Sequence, residues 1–217
     1  MKDLRPKRCG SVQQRCSCLQ PSRPAAAFSL IELFVVVGLL LVMVVMYHTY
    51  ESRAPQQEQK KVCQKNLQKI YVALQIYAND HDGALPAVPG AQTSEEPLSA
   101  LVPRYTVDAG LFICPGTKRS RLPDGESFAK RRISYAYFMG RRLTEAKALL
   151  MTDQQVNTLP KKEGEPVFSR TGKPPGNNHR KYGGNYLFTD GSLEMSSATA
   201  PFPVVWPEGV VLLNPKP

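Results

Sequence analysis

The sequence lacks the short patterns on which hydrolytic enzymes depend. It contains no G-x-S-x-G turn or comparable setting for a nucleophile, and histidine occurs 3 times in 217 residues. His81 and His179 could imitate a hydrolytic pair with Asp190, but without a nucleophile we read them as surface polar residues. We therefore predict that the protein is not an enzyme, and an anchored hydrolase is the outlying alternative.

Signatures of nucleic-acid binding are also missing, although the formal net charge is +10. No zinc-finger spacing or known RNA-binding sequence accompanies the basic residues. Residues 1–27 hold six basic side chains and one acidic one, which leaves the rest of the chain with 22 basic and 17 acidic residues and a net charge of +5. Later basic clusters indicate a solvated face, and we predict no nucleic-acid partner.

The spacings of metal sites are absent as well. Cys16 and Cys18 have no second cysteine pair downstream, which argues against zinc. There is no D-x-D-x-D-G array for calcium, and turns favour aspartate in any case. We predict no metal or other cofactor. The alternative is Ca²⁺ bound by carboxylates from among Asp80, Asp82, Asp153 and Asp190.

One segment has almost no charge. The 20 residues 28–47 read FSLIELFVVVGLLLVMVVMY and contain a single charged side chain, Glu32, and no proline. As a helix they would span about 30 Å, the thickness of the bilayer hydrocarbon. The segment therefore predicts a transmembrane helix, and the basic residues before it place the N-terminus in the cytoplasm.

Four fates of this segment are conceivable. A secretory signal is cleaved at small residues after its apolar core, but Ala54 is followed by Pro55 and makes a poor site. A lipoprotein needs a cysteine that closes the apolar run, and the sequence has none there. Two fates remain: the segment is an uncleaved membrane anchor, or the chain is cleaved before the helix.

Cys63 and Cys114 follow the apolar run. Outside the cytoplasm they could form one disulfide, closing a loop of about 50 residues and contributing roughly 3–4 kcal/mol. The alternative is a pair of buried free thiols.

The basic leader, a small residue and then Phe28-Ser-Leu-Ile-Glu32 with an apolar helix resemble the signal of type IV prepilins and type II secretion pseudopilins. The resemblance implies that a prepilin peptidase cuts between Ala27 and Phe28 and methylates the new N-terminus of Phe28. It implies that Glu32 pairs with the terminal amine of a neighbouring subunit during assembly. The family prefers glycine where this sequence has Ala27.

Further motifs resemble a pseudopilin G-like group and extend the similarity over most of residues 25–195. They are Cys63-Gln-Lys-Asn66-Leu67, Tyr77-Ala-Asn-Asp80, Phe112-Ile-Cys114-Pro115 and Asn185-Tyr-Leu-Phe188-Thr-Asp190-Gly191. The resemblance implies a bacterial inner-membrane protein with a periplasmic or otherwise extracytoplasmic head. It implies a prepilin peptidase, other pilin-like subunits, an inner-membrane assembly platform and membrane lipid as partners.

The pattern of the chain predicts an α+β, pilin-like fold: a long N-terminal helix packed on a small antiparallel sheet of three or four strands. The predicted parts are the basic leader 1–27, the transmembrane or filament-core helix 28–53, the amphipathic helix half 54–82, the globular head 83–198 and the Pro-rich tail 199–217. Ala54-Pro55 predicts a kink or break, and the tail is expected to be poorly ordered.

Apolar residues recur in the amphipathic half at helical spacing and predict one buried stripe, with the lysines largely off it. The stripe comprises Cys63, Leu67, Ile70, Leu74 and Tyr77, and the lysines are Lys60, Lys61, Lys65 and Lys69. Strands are predicted at 133–139, 148–152, 185–188 and 192–195, the last two joined by a hairpin at Asp190-Gly191. The functional alternative to a filament subunit is an uncleaved single-pass protein with an extracytoplasmic binding domain.

Overall fold

The computed structural model describes residues 29–117, 119, 123–125, 127, 128 and 131–217, without the side chains of residues 48–54. Ala27, Phe28 and the leader lie outside the described residues. The chain divides into two compact units, one ending at Val44 and the other Val45–Pro217. The fold is α+β: an N-terminal helix is followed by short helical turns and a five-stranded antiparallel sheet.

Helix α1, Leu30–Asp80, begins in the apolar segment. The carbonyl of Ser29 accepts hydrogen bonds from the amides of Glu32 and Leu33 at 2.9 and 3.2 Å, which satisfies two of the donors that a helix start leaves open. The large apolar side chains from Leu30 to Tyr47 are 44–70% exposed.

Of the kink or break predicted at Ala54-Pro55, the break is wrong, because helical backbone continues through Pro55, and the kink stays a prediction. Proline fixes φ near −65°, which a helix accepts, but it removes one backbone hydrogen bond and its ring crowds the carbonyl four residues earlier. The Pro55 side chain is exposed.

The predicted stripe on α1 packs into the core. Cys63, Leu67, Ile70 and Leu74 are fully buried, and Tyr77 packs at the edge of the same cluster. Lys60 departs from the prediction, since it is 7% exposed and lies among polar groups of the sheet, whereas Lys61, Lys65 and Lys69 are exposed.

The sheet has the strand order β4-β3-β2-β1-β5, and all its pairings are antiparallel. The strands are β1 Tyr135–Met139, β2 Leu149–Asp153, β3 Gly184–Phe188, β4 Leu193–Ser196 and β5 Val211–Leu213. The four strands that alternation and turn residues predicted are confirmed. β1 shows why: Tyr135 and Tyr137 face the cluster that contains α1, while Ala136 and Phe138 face a second core on the other side.

The hairpin between β3 and β4 turns at Gly191, which has φ of +81°. A Cβ at this position would lie 2.6 Å from the ring of Tyr71 on α1, so a side chain would clash as well as strain the backbone. The Tyr71 hydroxyl donates a hydrogen bond to the carbonyl of Thr189 at 2.8 Å. The hairpin is therefore seated directly on α1.

The predicted disorder of the Pro-rich tail is wrong, because its residues Val211–Leu213 form β5 at the edge of the sheet. Val204 and Leu212 are buried in the second core, where Trp206 packs against Phe138 with ring centroids 5.4 Å apart. The tail covers the sheet face that α1 leaves open.

Short helical turns link α1 to the sheet. They are α2, Glu95–Leu98, and two 3-10 segments, Ser99–Leu101 and Ala109–Phe112. The second 3-10 segment brings Cys114 back towards α1, and Asn66 on α1 donates a hydrogen bond to the carbonyl of Ile113 at 3.3 Å.

Candidate functional site

The apolar segment is the first candidate site. Within the described residues, one helix is long and apolar enough to cross a membrane, over Leu30–Tyr47, and none of that window is buried in the protein itself. Glu32 is its single charged residue and is exposed one turn from the helix start. A carboxylate in such a place is costly in hydrocarbon unless it reaches the interface or acquires a positive partner.

Cys63 and Cys114 are joined by a disulfide bond with Cα atoms 5.4 Å apart, a normal separation for such a bridge. Both residues are fully buried between α1 and the loop that precedes β1. The structure thus contains the disulfide that was one alternative for Cys63 and Cys114, and not the pair of free thiols.

A buried histidine–aspartate pair touches this disulfide. His179 Nε2 lies 3.5 Å from Cys114 Sγ and 3.3 Å from Asp153 Oδ2, and the histidine and aspartate are fully buried. Asp153 is the last residue of β2, and His179 lies in the loop before β3. Gly116 allows that loop to approach, since a Cβ there would lie 2.0 Å from the carbonyl oxygen of Asn178.

Three nitrogen donors hold the Asp153 carboxylate in place. Asn178 Nδ2 donates to Oδ1 at 2.8 Å, and Asn185 donates to Oδ2 through its backbone N–H at 2.8 Å and its Nδ2 at 3.0 Å. Burial by itself would raise the pKa of Asp153, but the contact with His179 and these hydrogen bonds outweigh it and lower the pKa. The carboxylate therefore stays ionised inside the protein.

Lys60 connects this network to α1. Its Nζ donates to the carbonyls of Tyr182 at 3.0 Å and Ser196 at 2.9 Å, and Asn185 Nδ2 donates to the Lys60 carbonyl at 3.2 Å. Burial lowers the pKa of Lys60, and the charge of Asp153 opposes that shift. The helix is thus fixed to β3 and β4 by polar contacts as well as by the apolar stripe.

Known proteins were compared with the chain at three levels. No protein-family model matches it, and searches of curated proteins and of solved structures returned no significant match. Its function has to be inferred from its own residues.

The four aspartates considered for Ca²⁺ do not meet. Asp80 is exposed at the end of α1 beside Arg104, Asp82 is exposed in the following turn, and Asp190 accepts hydrogen bonds from Ser192 in the β3–β4 hairpin. Asp153 lies at the far end of β2 from that hairpin. Among the described residues, the single group of three or more close metal-ligating side chains is Cys63, Cys114, Asp153 and His179.

Sequence reasoning missed most of this buried network. His81 and His179 are predicted to be surface polar residues, but His179 is fully buried against Asp153. His81 is exposed and stacks on Tyr77 with ring centroids 3.9 Å apart. One pattern in the sequence could have indicated the network. Asn185 is a polar residue at the start of a strand that is otherwise apolar.

Removal of the disulfide is expected to lower the free energy of unfolding by about 3–4 kcal/mol, because the unfolded chain gains the entropy of an open loop. The variant is Cys63→Ser with Cys114→Ser, and urea unfolding of the full chain in detergent can be followed by the fluorescence of Trp206. The matched control replaces Cys9, Cys16 and Cys18 by serine and should not move the midpoint. Equal midpoints for the two variants would contradict this role of the disulfide.

Acid is expected to destabilise the head through Asp153. A carboxyl whose pKa is lower in the folded state stabilises the fold above its unfolded pKa of about 3.9, and that contribution is lost as the pH falls through the folded pKa. Urea midpoints of the oxidised protein should fall more steeply below pH of about 4 than those of Asp153→Asn. Parallel pH profiles for the two proteins would exclude this contribution.

Proposed function

We propose that the chain is a structural subunit of a type II secretion pseudopilus or a type IV pilus-like filament, matured by a prepilin peptidase, and not an enzyme. The observation that carries the proposal is the exposed apolar helix Leu30–Tyr47 with Glu32 as its single charge. A small α+β head follows it along the chain, with one stripe of α1 packed on an antiparallel sheet.

The apolar helix has two successive environments in this proposal. It first rests in the lipid bilayer, which its length matches, and later packs among the helices of other subunits. Both environments remove its side chains from water. At about 25 cal/mol for each Å² of apolar surface buried, removal from water is the main driving force for retaining the helix in the bilayer. Association of helices that already lie in lipid depends instead on side-chain packing and on polar contacts between subunits.

In this proposal, Glu32 determines where the neighbouring subunit packs along the apolar helix. Cleavage after Ala27 makes Glu32 the fifth residue of the mature chain and creates a positive amine on Phe28. A lone amine and a lone carboxylate are each costly away from water, and pairing them between two subunits offsets both costs. In this proposal the amine of one subunit meets the carboxylate of the next in a heterologous contact whose rotation does not close, so repetition produces a fibre.

The orientation follows from the leader. Its basic residues stay in the cytoplasm, the helix spans the bacterial inner membrane once over Leu30–Tyr47, and the chain after Tyr47, with the head, lies on the periplasmic or extracytoplasmic side. A disulfide inside the head suits that oxidising side of the membrane. The partners are the prepilin peptidase, other pilin-like subunits, the assembly platform in the inner membrane and lipid.

Incubation of the purified precursor with a prepilin peptidase and S-adenosylmethionine as methyl donor tests the proposal. We expect mass spectrometry to find a mature chain that begins at N-methylated Phe28. Ala27→Gly is the matched variant and should be cut at the same bond at least as fast, because it restores the residue that the family prefers. An intact leader in both proteins would overturn the proposal and favour the uncleaved single-pass protein with an extracytoplasmic binding domain.

A further inference from the structure

Four buried side chains meet at the centre of the head, and the disulfide bond accounts for the presence of two of them, Cys63 and Cys114. Cys63 and Cys114 need no acid or base beside them once they are bonded. Burying the charged Asp153 costs several kcal/mol before its partners compensate. Yet one atom each from Cys63, Cys114, Asp153 and His179 lies within 4.8 Å of the others, and all four residues are buried.

We propose that the reduced protein binds one Zn²⁺ ion through Cys63 Sγ, Cys114 Sγ, His179 Nε2 and one carboxylate oxygen of Asp153. Two thiolates, an imidazole and a carboxylate are ligands that zinc accepts in closed tetrahedral sites. The head thus has two alternative central links: a disulfide when oxidised and a metal ion when reduced. This inference does not depend on the filament proposal.

The distances suit the ion. In a tetrahedral site with Zn–S near 2.3 Å and Zn–N or Zn–O near 2.0–2.1 Å, neighbouring ligand atoms lie about 3.3–3.8 Å apart. His179 Nε2 is already 3.5 Å from Cys114 Sγ and 3.3 Å from Asp153 Oδ2. The two sulfurs have to separate once their bond is broken, and the remaining atoms need only small shifts.

The surroundings suit a bound ion as well. Asn178 and Asn185 hold the Asp153 carboxylate by hydrogen bonds, as outer groups commonly hold metal-ligating carboxylates. Two thiolates and a carboxylate around Zn²⁺ leave one negative charge in excess. The buried Lys60 side chain lies in the same network, where its Nζ donates to the carbonyls of Tyr182 and Ser196, and it supplies the balancing positive charge.

The chemistry balances with a named reductant. A phosphine and one water molecule convert the disulfide into two thiols, and the phosphine is oxidised to its oxide. Zn²⁺ then binds two thiolates and releases the two thiol protons. The cluster is buried, so we expect metal to enter as the reduced chain folds or opens transiently.

The experiment uses the full chain in detergent, with Cys9→Ser, Cys16→Ser and Cys18→Ser to remove the leader thiols. We expect the phosphine-reduced protein to bind one equivalent of Zn²⁺, and Co²⁺ as a probe to give the intense visible spectrum of a tetrahedral site with thiolate ligands. The oxidised protein is the matched control, with the same residues but no free thiols, and should bind neither ion.

Variants separate a four-ligand site from binding by the thiols alone. His179→Ala and Asp153→Asn should each weaken Zn²⁺ binding to the reduced protein by roughly tenfold or more, whereas His81→Ala should not change it. If the reduced protein loses its fold without metal, recovery of the native circular dichroism on addition of Zn²⁺ supports the site. No binding by the reduced protein, equal binding by the oxidised protein, unchanged affinity in both variants or failure of Zn²⁺ to restore a lost fold would each overturn the inference.

Discussion

Asp153→Ala is expected to lower the free energy of unfolding of the head by roughly 3–5 kcal/mol, because it removes a fully buried carboxylate together with its contact to His179 and its hydrogen bonds. The substitution leaves one N–H of the Asn178 side chain and the backbone N–H of Asn185 without their acceptor, and each unsatisfied buried donor costs about 1–3 kcal/mol. Urea unfolding of the full chain, followed by Trp206 fluorescence, gives the change in midpoint.

Asp80→Ala is the matched control for this prediction. Asp80 also pairs with a basic residue, Arg104 at 3.4 Å, but both side chains are largely exposed and such pairs contribute at most about 1 kcal/mol. Asp153→Asn keeps one acceptor oxygen and should fall between the two alanine variants. If Asp153→Ala were no more damaging than Asp80→Ala, the buried network would not stabilise the head.

Glu32→Ala is expected to prevent filament assembly while membrane insertion remains intact. Insertion should persist because the substitution removes the one charge in the apolar segment. Assembly should fail because the terminal amine of the neighbouring subunit loses its partner. A loss of about 3 kcal/mol for each contact corresponds to roughly 100-fold weaker association. Membrane extraction and sedimentation of sheared filaments measure the two properties separately.

Two other variants distinguish charge from shape in that experiment. Glu32→Gln keeps the side-chain shape, removes the charge and should fail to assemble like Glu32→Ala. Glu58→Ala removes another exposed carboxylate of α1, whose only described ion pair is with Lys61 at 3.2 Å, and should assemble normally. Normal filaments from Glu32→Ala would show that the proposed pairing is not needed.

The sequence predicted those parts of the fold that depend on local periodicity. Cys63, Leu67, Ile70 and Leu74 recur at helical spacing, and the structure buries all four. Alternation around Tyr135 and Tyr137, and the turn residues Asp190 and Gly191, predicted strands that the structure contains. Each of these signals lies within a few consecutive residues.

Features that depend on distant partners were predicted poorly. β5 forms because the edge of β1 is open to pairing, and Asn214 exchanges hydrogen bonds of 3.0 Å with the backbone of Gln155. The prolines around this strand conceal it in the sequence. Lys60 is buried because Tyr182 and Ser196 offer carbonyls far along the chain, which no helical periodicity reveals.

The buried cluster shows the same limit. Cys63 and Cys114 could be considered as a pair because cysteines are few. His179 and Asp153 carried no such signal, because their meeting depends on the register of β2 and β3 and on the approach of the loop at Gly116. A site that is assembled from four separate segments of the chain has no spacing that can be read in any one of them.

Cross-linking from the apolar helix tests the central claim most directly. A photoreactive amino acid at Leu40, which is 55% exposed, would be activated in filaments sheared from cells and in the same cells carrying Glu32→Ala. The account predicts a ladder of cross-linked pilin-like subunits for the native sequence, and loss of the ladder for Glu32→Ala. Cross-links confined to the head of the same chain would contradict it, because the helix would then be packed within its own subunit.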